Sequence, residues 1–178
     1  MSERIELRPL GPAHVDAILE GQDAELAHEA FGVVWTRELL TDFCARAARW
    51  TQDGPLREYA AIDERGAVVG GGGLHLLGHG IERGEVDAAY WVLAGHRGRG
   101  VGGAIARALR SAAAADPRLR TLVLRIAPDN ACSRAVALGI GATPTGAIER
   151  HPADPHRTVE RWELDLDTPR ASTGAQIP

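Results

Sequence analysis

The sequence predicts an α/β protein built on one sheet of mixed strand direction. Short apolar runs of strand length alternate with segments of helical periodicity, and helices fall both between strands and outside them. The chain has 178 residues, of which 44% are hydrophobic, so a single domain over residues 1–167 can bury a sizeable core. We expect residues 168–178 to form a disordered tail.

The first third of the chain predicts one strand and two helices. Residues 4–9 alternate in polarity, which indicates a strand. Pro12 opens a short helix, and Thr36 can cap a second one that Gly54-Pro55 ends. The first helix would bury Val15, Ile18 and Leu19, and the second would bury Leu39, Leu40, Phe43, Ala47 and Trp50.

The middle and end of the chain predict a hairpin, four more strands and two more helices. The hairpin turns at Glu64-Arg65-Gly66, and the glycines at 70–73 weaken its second strand or form a bulge. Its strands span 59–63 and 67–77. The further strands span 86–93, 121–126, 147–150 and 158–165, and the helices span 101–115 and 130–138.

Composition excludes several classes of protein. A net charge of −4 and a pI near 6.0 argue against a general nucleic-acid binder. All 20 cationic residues are arginines, so no lysine can act as a base. Without an apolar run of membrane-spanning length or a signal-peptide pattern, we expect a cytoplasmic protein that does not contact membranes. Cys44 and Cys132 lack CxxC spacing and are expected to be reduced thiols in the core.

Residues 90–103 run from an apolar strand through a glycine-rich turn into an amphipathic helix. Gly98, Gly100 and Gly102 lack a β-carbon, which permits unusual dihedrals and close approach of a ligand. The N-terminal end of the helix favours an anion, and Arg97 and Arg99 add positive charge. The pattern therefore predicts a cradle for a pyrophosphate group.

Two classes of ligand fit such a turn. Residues 98–103 satisfy GxGxxG literally, as in dinucleotide-binding proteins. That fold also needs an acidic residue about 20 positions later, at the end of the next strand. The next predicted strand ends at Ile126, and the acid that follows it, Asp129, comes too late and opens another helix. A nicotinamide enzyme is therefore the weaker alternative.

The wider pattern resembles the GNAT N-acyltransferase superfamily. The Arg-x-x-Gly-x-Gly spacing from Arg97 is similar to its acyl-CoA pyrophosphate loop, and residues 128–142 resemble its second cofactor motif. Residues 5–10 and 87–91 resemble the ribosomal-protein N-terminal acetyltransferase (RimJ/RimL-like) branch. The resemblance covers about residues 4–166. It implies about seven mostly antiparallel strands with a central parallel pair, flanked by about four helices.

The resemblance also implies a reaction and a set of site residues. The donor would be acetyl-CoA and the acceptor a primary amine, either a peptide N-terminus or a small molecule, which attacks the thioester directly without a metal. A homodimer is plausible for this family. The cofactor would contact Val92, where the strand edge pairs with the pantetheine arm, the loop residues Arg97, Gly98, Arg99, Gly100, Val101 and Gly102, and Asn130 and Ser133 of the second motif.

The departing thiolate needs a proton donor, and the resemblance places Ser133 near it. Many members of the superfamily carry a tyrosine four residues beyond this serine, where this chain has Ala137. A noncatalytic acyl-CoA-binding or regulatory module is therefore an alternative to an enzyme. Asn130 can equally serve as a helix N-cap, whether or not a cofactor binds.

The attacking amine must lose a proton, because alkyl amines are mostly protonated at neutral pH. Asp87 lies where the branch often has a glutamate, and we predict that it acts as the base or anchors a water. Glu85 shares its strand face. The alternative is an acidic strand that faces solvent. Tyr90 falls on the opposite face and is expected to pack in the core.

An acidic segment and four histidines are the remaining groups of charged or titratable residues with a possible role in a site. Residues 16–29 carry five acids and no arginine, a pattern typical of a solvated helix face that could also favour a cationic acceptor. The acids are Asp16, Glu20, Asp23, Glu25 and Glu29. The histidines do not fall in a metal-binding frame such as HExxH, and we expect His75, His79, His151 and His156 at the surface or in loops.

Overall fold

The computed structural model describes residues 4–28, 32–151, 154 and 156–167. Seven strands form one sheet in the order β1-β2-β3-β4-β5-β7-β6. All neighbouring strands are antiparallel except β4 and β5, which confirms the mixed sheet with a central parallel pair. The strands are β1 Glu6–Pro9, β2 Leu56–Ile62, β3 Val68–His75, β4 Glu85–Val92, β5 Thr121–Ile126, β6 Thr143–Arg150 and β7 Thr158–Asp165.

Five α-helical segments accompany the sheet in the described part of the chain, and four of them match the prediction. Thr36 caps α3 as expected, since its hydroxyl accepts the Leu39 N–H at 3.3 Å. The short α2 was not predicted, and Asp23 caps it by accepting the Leu26 N–H at 2.8 Å. The helices are α1 Val15–Gly21, α2 Ala24–Leu26, α3 Arg37–Ala47, α4 Val101–Ala114 and α5 Ala131–Ile140.

The core is divided by the sheet into two apolar clusters. One cluster lies under α4 and α5, where Ile105 and Leu109 are fully buried against β3 and β4. The other lies under α1, α2 and α3 on the opposite face, and it includes Trp91 and Leu93 at the end of β4. The sheet therefore presents β4 to a helical layer on each face.

The four glycines of β3 allow close packing on both faces of the sheet. A β-carbon on Gly70 would lie 2.9 Å from Ile105 Cδ1, and one on Gly72 would lie 2.8 Å from Leu109 Cδ1. On the opposite face, a β-carbon on Gly71 would lie 2.4 Å from Trp91 Cζ2. The strand stays continuous through the glycines, and its register with β2 shifts just before them, between Ala61 and Ile62.

Several expectations about individual residues were wrong. Leu39 is 49% exposed, because α3 turns Leu40 and Cys44 toward the sheet instead. Cys44 is a buried free thiol as expected, whereas Cys132 is exposed in the first turn of α5. Strand β6 begins at Thr143, four residues earlier than predicted. The predicted tail, 168–178, lies outside the described residues.

Among the residues that the structure describes, no helix has both the length and the apolar character needed to cross a bilayer.

Candidate functional site

Strands β4 and β5 pair only at their beginnings. The parallel register runs from Glu85↔Thr121 to Asp87↔Val123, although β4 continues to Val92 and β5 to Ile126. Beyond Asp87, the residues of β4 pair with β3 but, within the described residues, have no partner on β5. An extended ligand that carries amide groups can pair with such an open edge. Val92 lies at the end of this edge.

The glycine-rich loop follows directly and leads into α4. Gly98 and Gly100 have φ angles of +74° and +80°, a region that other residues rarely adopt. Gly100 is the N-cap of α4 and receives no side-chain cap. The first N–H groups of a helix have no partner within the helix, so this end is suited to bind an anion. Val101 is buried and anchors the first turn.

Gly102 differs in conformation from the other two glycines of the motif. It lies within α4, and it does not share the positive φ of Gly98 and Gly100. A β-carbon at Gly102 would lie 3.3 Å from Tyr90 Cε2 and 3.6 Å from Val92 Cγ2. The glycine therefore allows α4 to pack closely on β4, beside the open edge.

The two arginines of the loop have different environments. Arg97 Nη1 donates to Asp23 at 2.7 Å and to Glu25 at 2.9 Å, and Nη2 donates to Asp23 at 2.8 Å. The hydrogen bond from Arg97 lowers the pKa of Asp23. Arg99 is exposed and makes no ion pair with the described residues. The charge of Arg97 is thus balanced within the protein, whereas that of Arg99 remains available.

The acidic segment that precedes α3 is partly neutralised, because two arginines pair with three of its four described acids. Asp16 pairs with Arg37 at 2.6 Å, and Asp23 and Glu25 pair with Arg97. Glu29 lies outside the described residues. Arginines from other segments thus lower the acidic excess of this segment without removing it, since Glu20 makes no ion pair with the described residues and Arg97 is shared by two acids.

The second motif meets β4 through a hydroxyl pair. Asn130 Oδ1 accepts the Ser133 N–H at 2.9 Å, which confirms its role as the N-cap of α5. The Tyr90 hydroxyl donates to Ser133 Oγ at 3.1 Å. Burial raises the pKa of Tyr90. Ala137 is completely buried in the core. The phenol that contacts Ser133 therefore belongs to Tyr90 on β4, and not to a residue at position 137, one turn further along α5.

Tyr90 is a candidate site residue that the sequence analysis missed. Its place on the face opposite Asp87 was predicted, and it does pack against the core as expected. Its contact with Ser133 joins residues 43 positions apart. The alternation of β4 indicated the face of Tyr90, but nothing local indicated which helix would cover that face.

Asp87 lies on the other face of β4 and is mostly buried. Arg125 Nη1 lies 3.1 Å from Asp87 Oδ2, and the two side chains are only 7% and 14% exposed, respectively. Burial raises the pKa of Asp87 despite the opposing effect of Arg125. Glu85, on the same face, pairs with Arg161 at 2.8 Å. The alternative of a solvent-facing acidic strand is therefore wrong.

Asp87 belongs to a set of charged side chains on one sheet face that we call the charged row. His75 lies directly opposite Asp87 in the β3–β4 register, and its Nε2 is 2.6 Å from Glu58 Oε1. Beyond Arg125, Glu149 accepts from Arg125 Nε at 2.7 Å and from Arg161 at 3.4 Å. The row has one member from each of β2 to β7, namely Glu58, His75, Asp87, Arg125, Glu149 and Arg161.

The histidines do not all lie where the sequence suggested. His79 is exposed in the loop after β3, as expected, but His75 is a half-buried member of the charged row. His151 and His156 flank the turn between β6 and β7. In the part of the chain described by the structure, no group of three or more His, Cys, Asp and Glu side chains could hold a metal ion.

Comparison with known proteins gives a consistent result. Residues 4–143 match the family model described as an acetyltransferase (GNAT) domain. No match was found among curated protein sequences. The fold is similar to spermidine N-acetyltransferase from Vibrio cholerae, solved with CoA and spermine, at a TM-score of 0.74 and 14% identity over 92% of this chain and 96% of that one.

Two other solved structures show the same fold. RimL, a ribosomal L7/L12 alpha-N-protein acetyltransferase solved with coenzyme A, aligns at a TM-score of 0.76 and 21% identity over 92% of this chain and 95% of that one. An aminoglycoside acetyltransferase solved with coenzyme A aligns at 0.74 and 16% identity over 90% and 94% of the two chains. The family match spans most of the sequence, and the chain therefore belongs to the GNAT acetyltransferase family and is an acyltransferase of the N-acetyltransferase type.

Proposed function

We propose that the protein transfers the acetyl group of acetyl-CoA to a primary amine by direct attack. The observation that supports this most is the open edge of β4, which leads to an α4 N-terminus without a side-chain cap. The edge offers backbone groups to an amide-containing arm, and the helix end offers N–H groups to a pyrophosphate. Residues 1–167 would form one catalytic domain, and a homodimer is our proposal for its assembly.

The donor would be held mainly by backbone groups. Its pantetheine arm would pair along β4 as far as Val92, and its pyrophosphate would meet the loop and the first turn of α4. Arg99 would add charge there, whereas Arg97 holds the loop to α2 through Asp23. The same class of ligand is present in the similar proteins solved with coenzyme A. The proposed loop contacts are Gly98, Arg99, Gly100, Val101 and Gly102.

The reaction would proceed across the opening between β4 and β5. The amine loses a proton on the Asp87 side, where Asp87 acts as a base or anchors a water. Its nitrogen forms a C–N bond with the thioester carbonyl carbon, and the C–S bond then breaks. Ser133 gives its proton to the sulfur and is supplied in turn by Tyr90, which donates to it, and the proton that the nitrogen loses as the amide forms returns through water to Tyr90. Fixed geometry of the two reactants provides much of the rate.

The acceptor would enter on the face that carries Asp87 and Trp91. Between them Ala89 is exposed, which leaves an open strip on β4. Two arginines pair with three acids of the 16–29 segment, which lowers the electrostatic attraction of that segment for a cationic amine without removing it. A peptide N-terminus and a small-molecule amine both fit this chemistry.

Two alternatives are less well supported. A noncatalytic acyl-CoA-binding module was motivated by Ala137, but the phenol of Tyr90 reaches Ser133 from β4 and restores a proton source. A nicotinamide enzyme was motivated by the GxGxxG string, but the family match assigns this loop to an acetyltransferase domain.

Thermal unfolding and a transfer assay test the proposal. Acetyl-CoA and CoA at about 100 times their Kd should each stabilise the protein by about 2.7 kcal/mol, which raises Tm by several degrees, and NAD should not. Release of the CoA thiol in the presence of peptide and small-molecule amines, with mass spectrometry of the products, identifies the acceptor. Stabilisation by NAD alone would refute the proposal, and CoA binding without turnover on any amine would favour the noncatalytic module.

A further inference from the structure

We propose that Glu58 and His75 form the pair that accepts the proton of the acceptor amine, with His75 Nδ1 as the accepting atom. This inference rests on the proposed function and adds two residues to it. Both residues belong to the charged row, and neither lies in a recognisable sequence motif. The proton would reach His75 through water held beside Asp87.

The pair is built into the sheet at a close distance. His75 Nε2 lies 2.6 Å from Glu58 Oε1, and the two side chains are 30% and 13% exposed. A β-carbon on Gly73 would lie 2.6 Å from the Glu58 oxygen and 2.7 Å from His75 Nε2. The glycine therefore leaves room for this contact, and any other residue there would disturb it.

The contact with Glu58 determines which nitrogen of His75 can accept a proton. A carboxylate accepts hydrogen bonds, so Nε2 carries the hydrogen and Nδ1 keeps its lone pair. Nδ1 has no hydrogen-bond partner among the described residues, and the side chain is partly exposed, so water can reach it. An acid that orients a histidine in this way also stabilises the imidazolium that forms.

The charges that face His75 favour its protonated form. Glu58 of β2 and Asp87 of β4 flank it, and Arg125 of β5 lies behind Asp87. Burial opposes protonation, but the hydrogen bond and charge of Glu58, with the charge of Asp87, together raise the pKa of His75. An imidazole is better matched than a carboxylate to accept protons near neutral pH. Asp87 pairs with Arg125, and its role would be to hold the water and to stabilise the imidazolium.

The proton balance is simple. One ammonium proton moves through water to His75 Nδ1, and the imidazolium later releases it to solvent. The free amine then forms the C–N bond, and the second proton, which it loses as the amide forms, passes through water to Tyr90 and replaces the one that Tyr90 supplies to Ser133. The sulfur, after the C–S bond breaks, takes one proton from Ser133. The overall reaction from an ammonium therefore releases one proton to solvent.

The first experiment compares two acceptors with the variants His75→Gln and His79→Gln. With an alkyl amine, we expect His75→Gln to lower kcat/KM about 100-fold, the range for general base catalysis. With a hydrazide, which is neutral near pH 7, the same variant should lose less than about threefold, because that nucleophile needs no prior deprotonation. His79, exposed after β3, is the matched control and should change neither rate.

The second experiment titrates His75 by NMR in the free protein and in Glu58→Gln. Removing the carboxylate charge should lower the pKa of His75. The rate rises with pH as His75 loses its proton, so the acidic limb of the kcat/KM profile should move to lower pH by the same amount. CoA should stabilise all variants as it does the unmodified protein, which shows that they are folded.

Several results would overturn the inference. Equal losses for the alkyl amine and the hydrazide would indicate a structural role for His75, and an unchanged His75 titration in Glu58→Gln would show that the pair is not coupled. If the proposed function itself is wrong, the result differs from these outcomes, because the unmodified protein then transfers acetyl groups to neither acceptor. In that case the NMR titration still decides whether Glu58 controls His75.

Discussion

The glycine-rich loop and the charged row lie on two sides of the same opening in the sheet, and they are built in opposite ways. The loop is one continuous segment, residues 97–103, whose shape comes from backbone dihedrals at two glycines. The row consists of one side chain from each of six strands, between residues 58 and 161. Each charged group is stabilised by the charges next to it. The loop is therefore sensitive to backbone strain, and the row to loss of a partner.

The largest expected effect is removal of Arg125, the most buried charge of the row. Arg125→Met leaves Asp87 without its cation and Glu149 with only the longer pair to Arg161, and we expect a loss of about 3 kcal/mol in the free energy of unfolding. Urea unfolding measures it. Arg8→Met, which breaks the exposed pair with Glu6, is the control and should cause no measurable change.

The interdependence within the row is tested by a double variant. If Asp87→Asn is added to Arg125→Met, part of the lost stability should return, because one unpaired charge is removed. Additive losses would contradict the view that these charges act as a unit.

Substitution of Gly100 tests whether CoA binding depends on the backbone conformation of the loop. A valine there must adopt a φ near +80°, which costs about 1–3 kcal/mol for a β-branched residue. We expect Gly100→Val to raise the Kd for CoA about 30-fold, by calorimetry. Gly95→Val is the matched control, because Gly95 has no positive φ and open space around its α-carbon. Similar losses in both variants would show that bulk in this loop, and not its conformation, limits binding.

The hydroxyl pair lies between the two regions and should show an effect on rate alone. Tyr90→Phe removes the donor to Ser133 but keeps the ring against α4, so kcat should fall about tenfold with an unchanged Kd for CoA. Tyr59→Phe, the other tyrosine of the chain, should leave kcat unchanged. A change in CoA affinity without a change in kcat would place Tyr90 in donor binding instead.

The smallest expected effect separates the two loop arginines. Arg99→Gln should raise the Kd for CoA about fivefold, the size of one exposed charge contact with a phosphate. Arg97→Gln should raise it less than about twofold, because its guanidinium is bound by Asp23 and Glu25. Equal effects would show that Arg97 leaves these acids when CoA binds.

Local signals in the sequence predicted most of the secondary structure. The strands at 121–126 and 158–165 have the predicted bounds, and α3 begins one residue after its predicted cap. The glycine-rich turn was identified for the same reason, since positive φ angles and helix starts depend on adjacent residues. The short α2 was missed because three residues carry too little periodicity.

Contacts between distant residues were not predicted. Arg97 was expected to face a ligand, but its partners Asp23 and Glu25 lie more than 70 positions away in the sequence. His75 was expected at the surface or in a loop, whereas it pairs with Glu58. That pairing was missed because it depends on the strand register and on the space left by Gly73. The faces of Asp87 and Tyr90 on β4 were predicted, but the residues that they contact were not.

The sequence alone determined the α/β class, the order of the strands and of the longer helices along the chain, and the glycine-rich turn, because each depends on local periodicity and backbone preference. The tertiary structure decided which charges and hydroxyls meet. It brought Tyr90 to Ser133 and placed His75 beside Asp87. The physical reason is that strand register and helix packing, which are set by the whole core, fix the distances between side chains far apart in the chain.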